Sequence, residues 1–183
     1  LLIGIALDEG YIKSIDDPVT NYLEDFQTAD PKFQELTIHH LLQMRSGLKF
    51  DESYESPFDL MARLYYGRNQ RGKIKRMGFE YEPGEKHIYQ SVSTAVLGLV
   101  LEEATGMSLD SYFDEKVWQP LRMENDASWS LDDKKHRSAK AFCGLNATAI
   151  DLAKIGRLYL NEGKFEGKQI VSKEWVEKTL TPD

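Results

Sequence analysis

Ser46-Gly47-Leu48-Lys49 is the only Ser-x-x-Lys spacing in the 183-residue chain. On a helix, residues at i and i+3 share one face, so such a lysine could help the serine hydroxyl attack a carbonyl. Gly47 closes a helix between these two residues, so they do not share a face and Ser46 is rejected as a nucleophile. His39 and His40 are adjacent. Neighbours on a helix point about 100° apart and cannot grip one ligand, so both read as helix-surface histidines. The single cysteine, Cys143, precedes Gly144 and reads as a buried, inert thiol. With four scattered histidines and no CxxC or HExxH spacing, no metal site is expected. Asn146-Ala147-Thr148 fits the glycosylation acceptor pattern, but its position at the start of a helix favours a structural role.

The composition fits one domain over residues 1–183. Hydrophobic residues make up 41% and charged residues 29%, enough apolar material for a core. Lys+Arg 23 against Asp+Glu 30 leaves a net charge of -7, which argues against a nucleic-acid partner. The one basic stretch, Arg68, Arg71, Lys73, Lys75 and Arg76, reads as a solvated loop face. No apolar run approaches the ~20 residues needed to span a bilayer. Leu1 to Leu7 begins as a buried helix in mid-turn without an N-cap, so the chain is expected to be a piece of a longer protein.

The elements are mostly helical. A first helix ends at Gly10, an extended piece covers Tyr11 to Ile15, and Asp17 and Pro18 open a brief helix through Leu23. Thr37 caps a helix from Ile38 to Met44 that stops at Gly47, and Pro57 to Tyr66 forms another within a long surface excursion. Phe79 to Tyr81 and Lys86 to Ile88 flank Pro83-Gly84, which predicts a hairpin. An apolar helix follows from Val92 to Ala104, ended by Gly106, and Ser108 caps one to Trp118. Thr148 with Asp151 opens a helix stopped by Gly163, Phe165 to Ile170 forms a short hairpin, and Ser172 caps a last helix through Leu180.

This ordered string of motifs resembles the serine beta-lactamase and penicillin-binding-protein family, in its esterase and amide-hydrolase branch. Gly10 to Val19 looks like the segment behind the nucleophile helix, and Leu36 to Leu48 like a capped helix ending in Ser-Gly-Leu. Tyr89-Gln90-Ser91 after Pro83-Gly84, with the apolar helix to Gly106, is similar to the Tyr-containing motif and its supporting helix. Val117 to Met123 resembles the Pro-Leu-Gly-Met turn, and Cys143 to Ala153 the Gly-Leu-x-x-Thr-x-x-Asp-Leu helix start. Where many members have His, Asn and Gly in these motifs, this chain has Met44, Ser91 and Arg122.

The resemblance implies acyl transfer through a serine and lysine in Ser-x-x-Lys, with a tyrosine moving the proton. Tyr89 matches that catalytic tyrosine, and Ser91 stands at the position that lines the substrate site. The nucleophile pair is expected before Leu1, and the fragment alone is expected to be inactive. The implied fold is an α-rich α+β helical lobe of a beta-lactamase/transpeptidase-like domain, with most of the central antiparallel sheet outside this chain. Without that sheet, Leu1 to Leu7 and the Val92 to Ala104 helix would expose an apolar face. The implied partner is a small-molecule ester, amide or lactam, with no cofactor. Ser91 reaches less far than asparagine, which argues against a true beta-lactamase. The family's members are often exported to the cell envelope, giving a periplasmic or envelope expectation. The competing reading is a non-catalytic module that binds a peptide or cell-wall fragment on the same scaffold.

Overall fold

A short N-terminal helix, α1 (Leu2–Asp8), packs on the longest one, α5 (Ser91–Thr105), and α2 (Ile38–Leu42) lies against the same helix. This computed structural model describes residues 1–181. Every residue of α5 from Ser91 to Leu101 except Thr94 is buried, which is why its sequence is apolar on nearly all sides. The expected open face of α1 is largely closed, since Ile3, Ile5 and Ala6 are buried. What stays open is an apolar groove of about 360 Å³ bounded by Leu1, Leu2, Leu42, Leu97, Leu101 and Trp129.

The close approach of α1 to the C-terminal helix α8 (Lys173–Leu180) depends on Gly4. A Cβ there would sit 2.3 Å from the Trp175 ring. The remaining α-helices are α3 (Leu60–Tyr66), α4 (Gln70–Ile74), α6 (Leu109–Phe113), which continues as a π turn over Asp114–Trp118, and α7 (Ala149–Leu160). Extended structure among the described residues consists of two small antiparallel pairs and isolated bridges. Strand β1 (Ser128–Trp129) pairs with β2 (Leu145–Asn146), and β3 (Lys164–Phe165) with β4 (Lys168–Gln169). Among the described residues no single helix is long and apolar enough to cross a membrane.

Three of the expected caps form, whereas Ser108 precedes α6 without capping it, its hydroxyl donating to the Ser111 hydroxyl at 2.8 Å. Thr37 accepts the His40 amide while His40 Nδ1 accepts the Thr37 amide at 3.3 Å, closing a capping box. Thr148 and Ser172 cap α7 and α8. Buried Asp151 accepts the amides of Glu124 at 2.7 Å and Asn125 at 3.2 Å and the Thr148 hydroxyl at 2.7 Å. Those donors hold its carboxyl down at about 2 and tie the loop before β1 to the start of α7.

Four other expectations need correction. The basic stretch is not a solvated loop: Gln70 and Ile74 of α4 are buried, and Arg71 pairs with Asp25 at 2.6 Å and with Glu103. Asp17 does not cap its helix, because its carboxylate takes the Ser14 amide and the Tyr22 hydroxyl, leaving a 3-10 turn over Val19–Asn21. The Pro57 helix starts only at Leu60, since Ser56 and Asp59 hold a turn before it. The expected hairpin around Pro83-Gly84 does not form. Its two limbs pair instead with the chain after α2: the amides of Tyr81, Gly84 and Ile88 donate to the carbonyls of Gly47, Arg45 and Met44.

Candidate active site

The segment that carries Tyr89 is held from below. Gln90 is 4% exposed, and its side-chain amide donates to the carbonyls of Leu48 at 3.2 Å and Phe50 at 2.6 Å. Its carbonyl oxygen accepts the Ser46 hydroxyl at 3.1 Å. Successive residues in extended chain face opposite ways, so a pinned Gln90 turns the preceding Tyr89 outward. Tyr89 is 66% exposed at the entry to α5.

Ser91 begins α5 and is buried. Its amide donates to Glu52 Oε2 at 2.8 Å, and its hydroxyl donates to Glu52 Oε1. Tyr54, 72% exposed, gives its hydroxyl to the same Oε1 at 3.1 Å. Partial desolvation, the hydrogen bond to Glu52 and the charge of that carboxylate push the Tyr54 hydroxyl above the ordinary tyrosine range. The structure therefore gathers Tyr89 and Ser91 with Glu52 and Tyr54, two residues the sequence reading passed over. Glu52 lies 39 positions from Ser91, and no local spacing announces that pairing.

Ser46 is 1% exposed, and its hydroxyl is committed to Gln90 while accepting the Leu48 amide at 3.3 Å. A residue so enclosed cannot meet a substrate, which agrees with its rejection as a nucleophile. His40 serves the α2 cap. Cys143 is half-buried, and burial pushes its thiol up, away from the reactive thiolate. The Asn146 side chain donates to the Gly144 carbonyl at 3.0 Å.

Asp132, Asp133 and His136 bring their ligand atoms within 4.8 Å of one another, a cluster the sequence reading did not foresee. Their acceptors are already engaged. Asp132 takes the amides of Gln70 and Ser138, and Asp133 those of Asn69 and Lys135 along with the His136 ring. The cluster staples this loop to the start of α4.

The comparisons with known proteins agree with the ordered motifs. The family model described as Beta-lactamase matches residues 1–183. The chain belongs to the Beta-lactamase family. Its relatives are hydrolases. A 6-aminohexanoate-dimer hydrolase of Paenarthrobacter ureafaciens is 26% identical over 191 residues, covering 98% of this chain and 47% of the relative. A teichoic acid D-alanine hydrolase of Staphylococcus aureus is 30% identical over 145 residues, 79% of this chain and 33% of the relative.

Among solved structures, one from Bacillus anthracis described as a candidate 6-aminohexanoate-dimer hydrolase superposes with a TM-score of 0.83 at 26% identity, over 97% of this chain and 48% of that one. The octameric penicillin-binding protein homologue of Pyrococcus abyssi superposes with a TM-score of 0.69 at 26% identity, over 98% of this chain and 45% of that one. The helix-rich chain thus shares its fold with Beta-lactamase family members and spans about half the length of these relatives.

Proposed function

We propose that the full-length protein carrying this chain is a serine hydrolase that cleaves a small ester or amide through an acyl-enzyme. The observation that carries the reading is the outward presentation of Tyr89 by a buried Gln90, at the mouth of a rigid apolar helix. A hydroxyl supplied by a Ser-x-x-Lys elsewhere in the protein attacks the carbonyl. Tyr89 passes the proton to the leaving alcohol or amine as the acyl bond to serine forms, and water then releases the acid.

The aminohexanoate-dimer and D-alanyl hydrolases among the relatives support amide and ester bonds as the substrate class. Ser91 lines the site next to Tyr89, with its hydroxyl turned to Glu52. In this reading the central antiparallel sheet belongs to the rest of the protein, residues 1–183 form part of one larger domain, and that domain works in the cell envelope. The present chain alone does not turn over substrate.

The test is the intact mass of the full-length protein before and after exposure to an activated ester. Gain of one acyl group, mapped to a serine outside residues 1–183 and removed on standing, is the expected result. A protein that binds cell-wall peptide yet stays unlabelled across several acyl donors would be a non-catalytic module on the same scaffold.

A further inference from the structure

The Glu52 carboxylate has an unusual set of partners for an anion at the edge of a site. It is half-buried and receives three hydrogen bonds: the amide and hydroxyl of Ser91 and the hydroxyl of Tyr54. All three donors are formally neutral. Among the described residues no lysine, arginine or histidine forms an ion pair with it. Two lysines that flank aromatic side chains are engaged elsewhere, Lys86 over the Tyr81 ring at 3.9 Å and Lys140 over the Tyr65 ring at 4.8 Å.

A carboxylate offers about four acceptor sites. Oε1 accepts twice, from Ser91 and Tyr54, whereas Oε2 accepts once, from the Ser91 amide. Oε2 therefore keeps an acceptor site for a further donor. The Ser91 amide belongs to the first residue of a 15-residue helix, whose N-terminal dipole favours a negative charge there and fixes the carboxylate in place. The same contacts take up the Ser91 hydroxyl, so at the Ser91 position, two residues on from Tyr89, the open acceptor is the Glu52 carboxylate.

We propose that Glu52 is a specificity-determining residue of this site, selecting esters or amides whose acyl portion carries a positively charged amine and disfavouring those that carry a carboxylate there. The inference rests on the hydrolase reading for its reaction, and on the hydrogen bonds of Glu52 for its sign. A substrate ammonium donates to Oε2 and gains a charge-assisted hydrogen bond, whereas a substrate carboxylate meets like charge. Ser91 and Tyr54 are positioning residues, acting through the carboxylate they hold.

The experiment compares three p-nitrophenyl esters of similar acyl length, those of β-alanine, butyric acid and succinic acid, with the full-length protein and its Glu52→Gln variant. Rates are corrected for spontaneous hydrolysis. The expected kcat/KM order is cationic above neutral above anionic, with about tenfold between the first two, the size of a partly solvated charge contact. Glutamine keeps an acceptor for Ser91, so E52Q is expected to bring the three rates together, the cationic ester losing most relative to the neutral one and the anionic ester gaining relative to it.

A wild-type enzyme indifferent to the charge, or preferring the succinate ester, overturns the proposal. So does an E52Q variant that slows all three esters equally, which is the behaviour of a structural pin. If no ester is turned over, the hydrolase reading fails separately. The Glu52 proposal is then read from calorimetric binding of β-alanine amide against butyramide: tighter cation binding that E52Q abolishes supports it, and equal binding overturns it.

Discussion

The Ser46 hydroxyl donates to the Gln90 side chain at 3.1 Å across 44 positions of sequence. This contact joins the chain after α2 to the strap that carries Tyr89, and both residues are buried. Ser46→Ala leaves the Gln90 carbonyl short of a donor and is expected to cost about 1–2 kcal/mol of stability, while acyl labelling of the full-length protein persists. Gln90→Ala also strips donors from the Leu48 and Phe50 carbonyls and is expected to cost more. Urea unfolding of both variants, paired with intact mass after acylation, checks the order. Loss of labelling in Ser46→Ala without loss of fold would restore Ser46 as a nucleophile.

Tyr89 contributes little to packing, being 66% exposed. Tyr89→Phe in the full-length protein is expected to lower turnover by about 10² or more with an unchanged melting temperature, the usual worth of general acid-base assistance. A variant that hydrolyses esters at the full rate would remove Tyr89 from the mechanism.

Gly4 lets α1 lie directly on Trp175. An added methyl at 2.3 Å from the ring has no room, and the nearest atoms belong to a rigid indole. Gly4→Ala is expected to destabilise by about 1–3 kcal/mol as α8 is pushed away, the usual cost of overpacking. Trp175 fluorescence would shift red as the ring gains solvent, and an unshifted spectrum with unchanged stability would contradict this packing.

Desolvation and the neighbouring His39 hold His40 below the ordinary histidine range, and its Nδ1 accepts the Thr37 amide only when unprotonated. With the folded value below the unfolded one, near ~6.5, the folded state binds fewer protons. The contribution to stability is therefore present above that pH and is lost as pH falls through it. The wild-type urea midpoint is expected to drop more between pH 7.5 and pH 5.5 than that of His40→Gln. Equal drops in the two proteins would dissociate His40 from the acid sensitivity.

Arg122 has a φ of 49°, in the left-handed region that glycine adopts freely. Its side chain is exposed and pairs with exposed Glu166 at 2.6 Å, a contact of small value. Relief of the backbone strain outweighs that pair, so Arg122→Gly is expected to be neutral or stabilising by about 1 kcal/mol. A clear fall in melting temperature would give the ion pair the larger role.

Local chemistry in the sequence determined the caps at Thr37, Thr148 and Ser172, the glycine stops, the β3–β4 turn and the apolar helix α5. These features depend on neighbours within a few residues, which is the range over which capping and periodicity act. The ordered motifs also named the family, because their succession along the chain needs no three-dimensional information.

Tertiary contacts decided the rest. Pro83-Gly84 is a sound turn former, yet its limbs find better partners in the carbonyls of Met44, Arg45 and Gly47 than in each other. The basic stretch folds into α4 because Asp25 and Glu103 reach Arg71 from 46 and 32 positions away, while Ile74 fills the core. Glu52 joins Ser91 and Tyr54 for the same reason. Charge pairs and hydrogen bonds between distant segments follow from how helices pack, and a residue's local sequence does not record which remote partner that packing will bring to it.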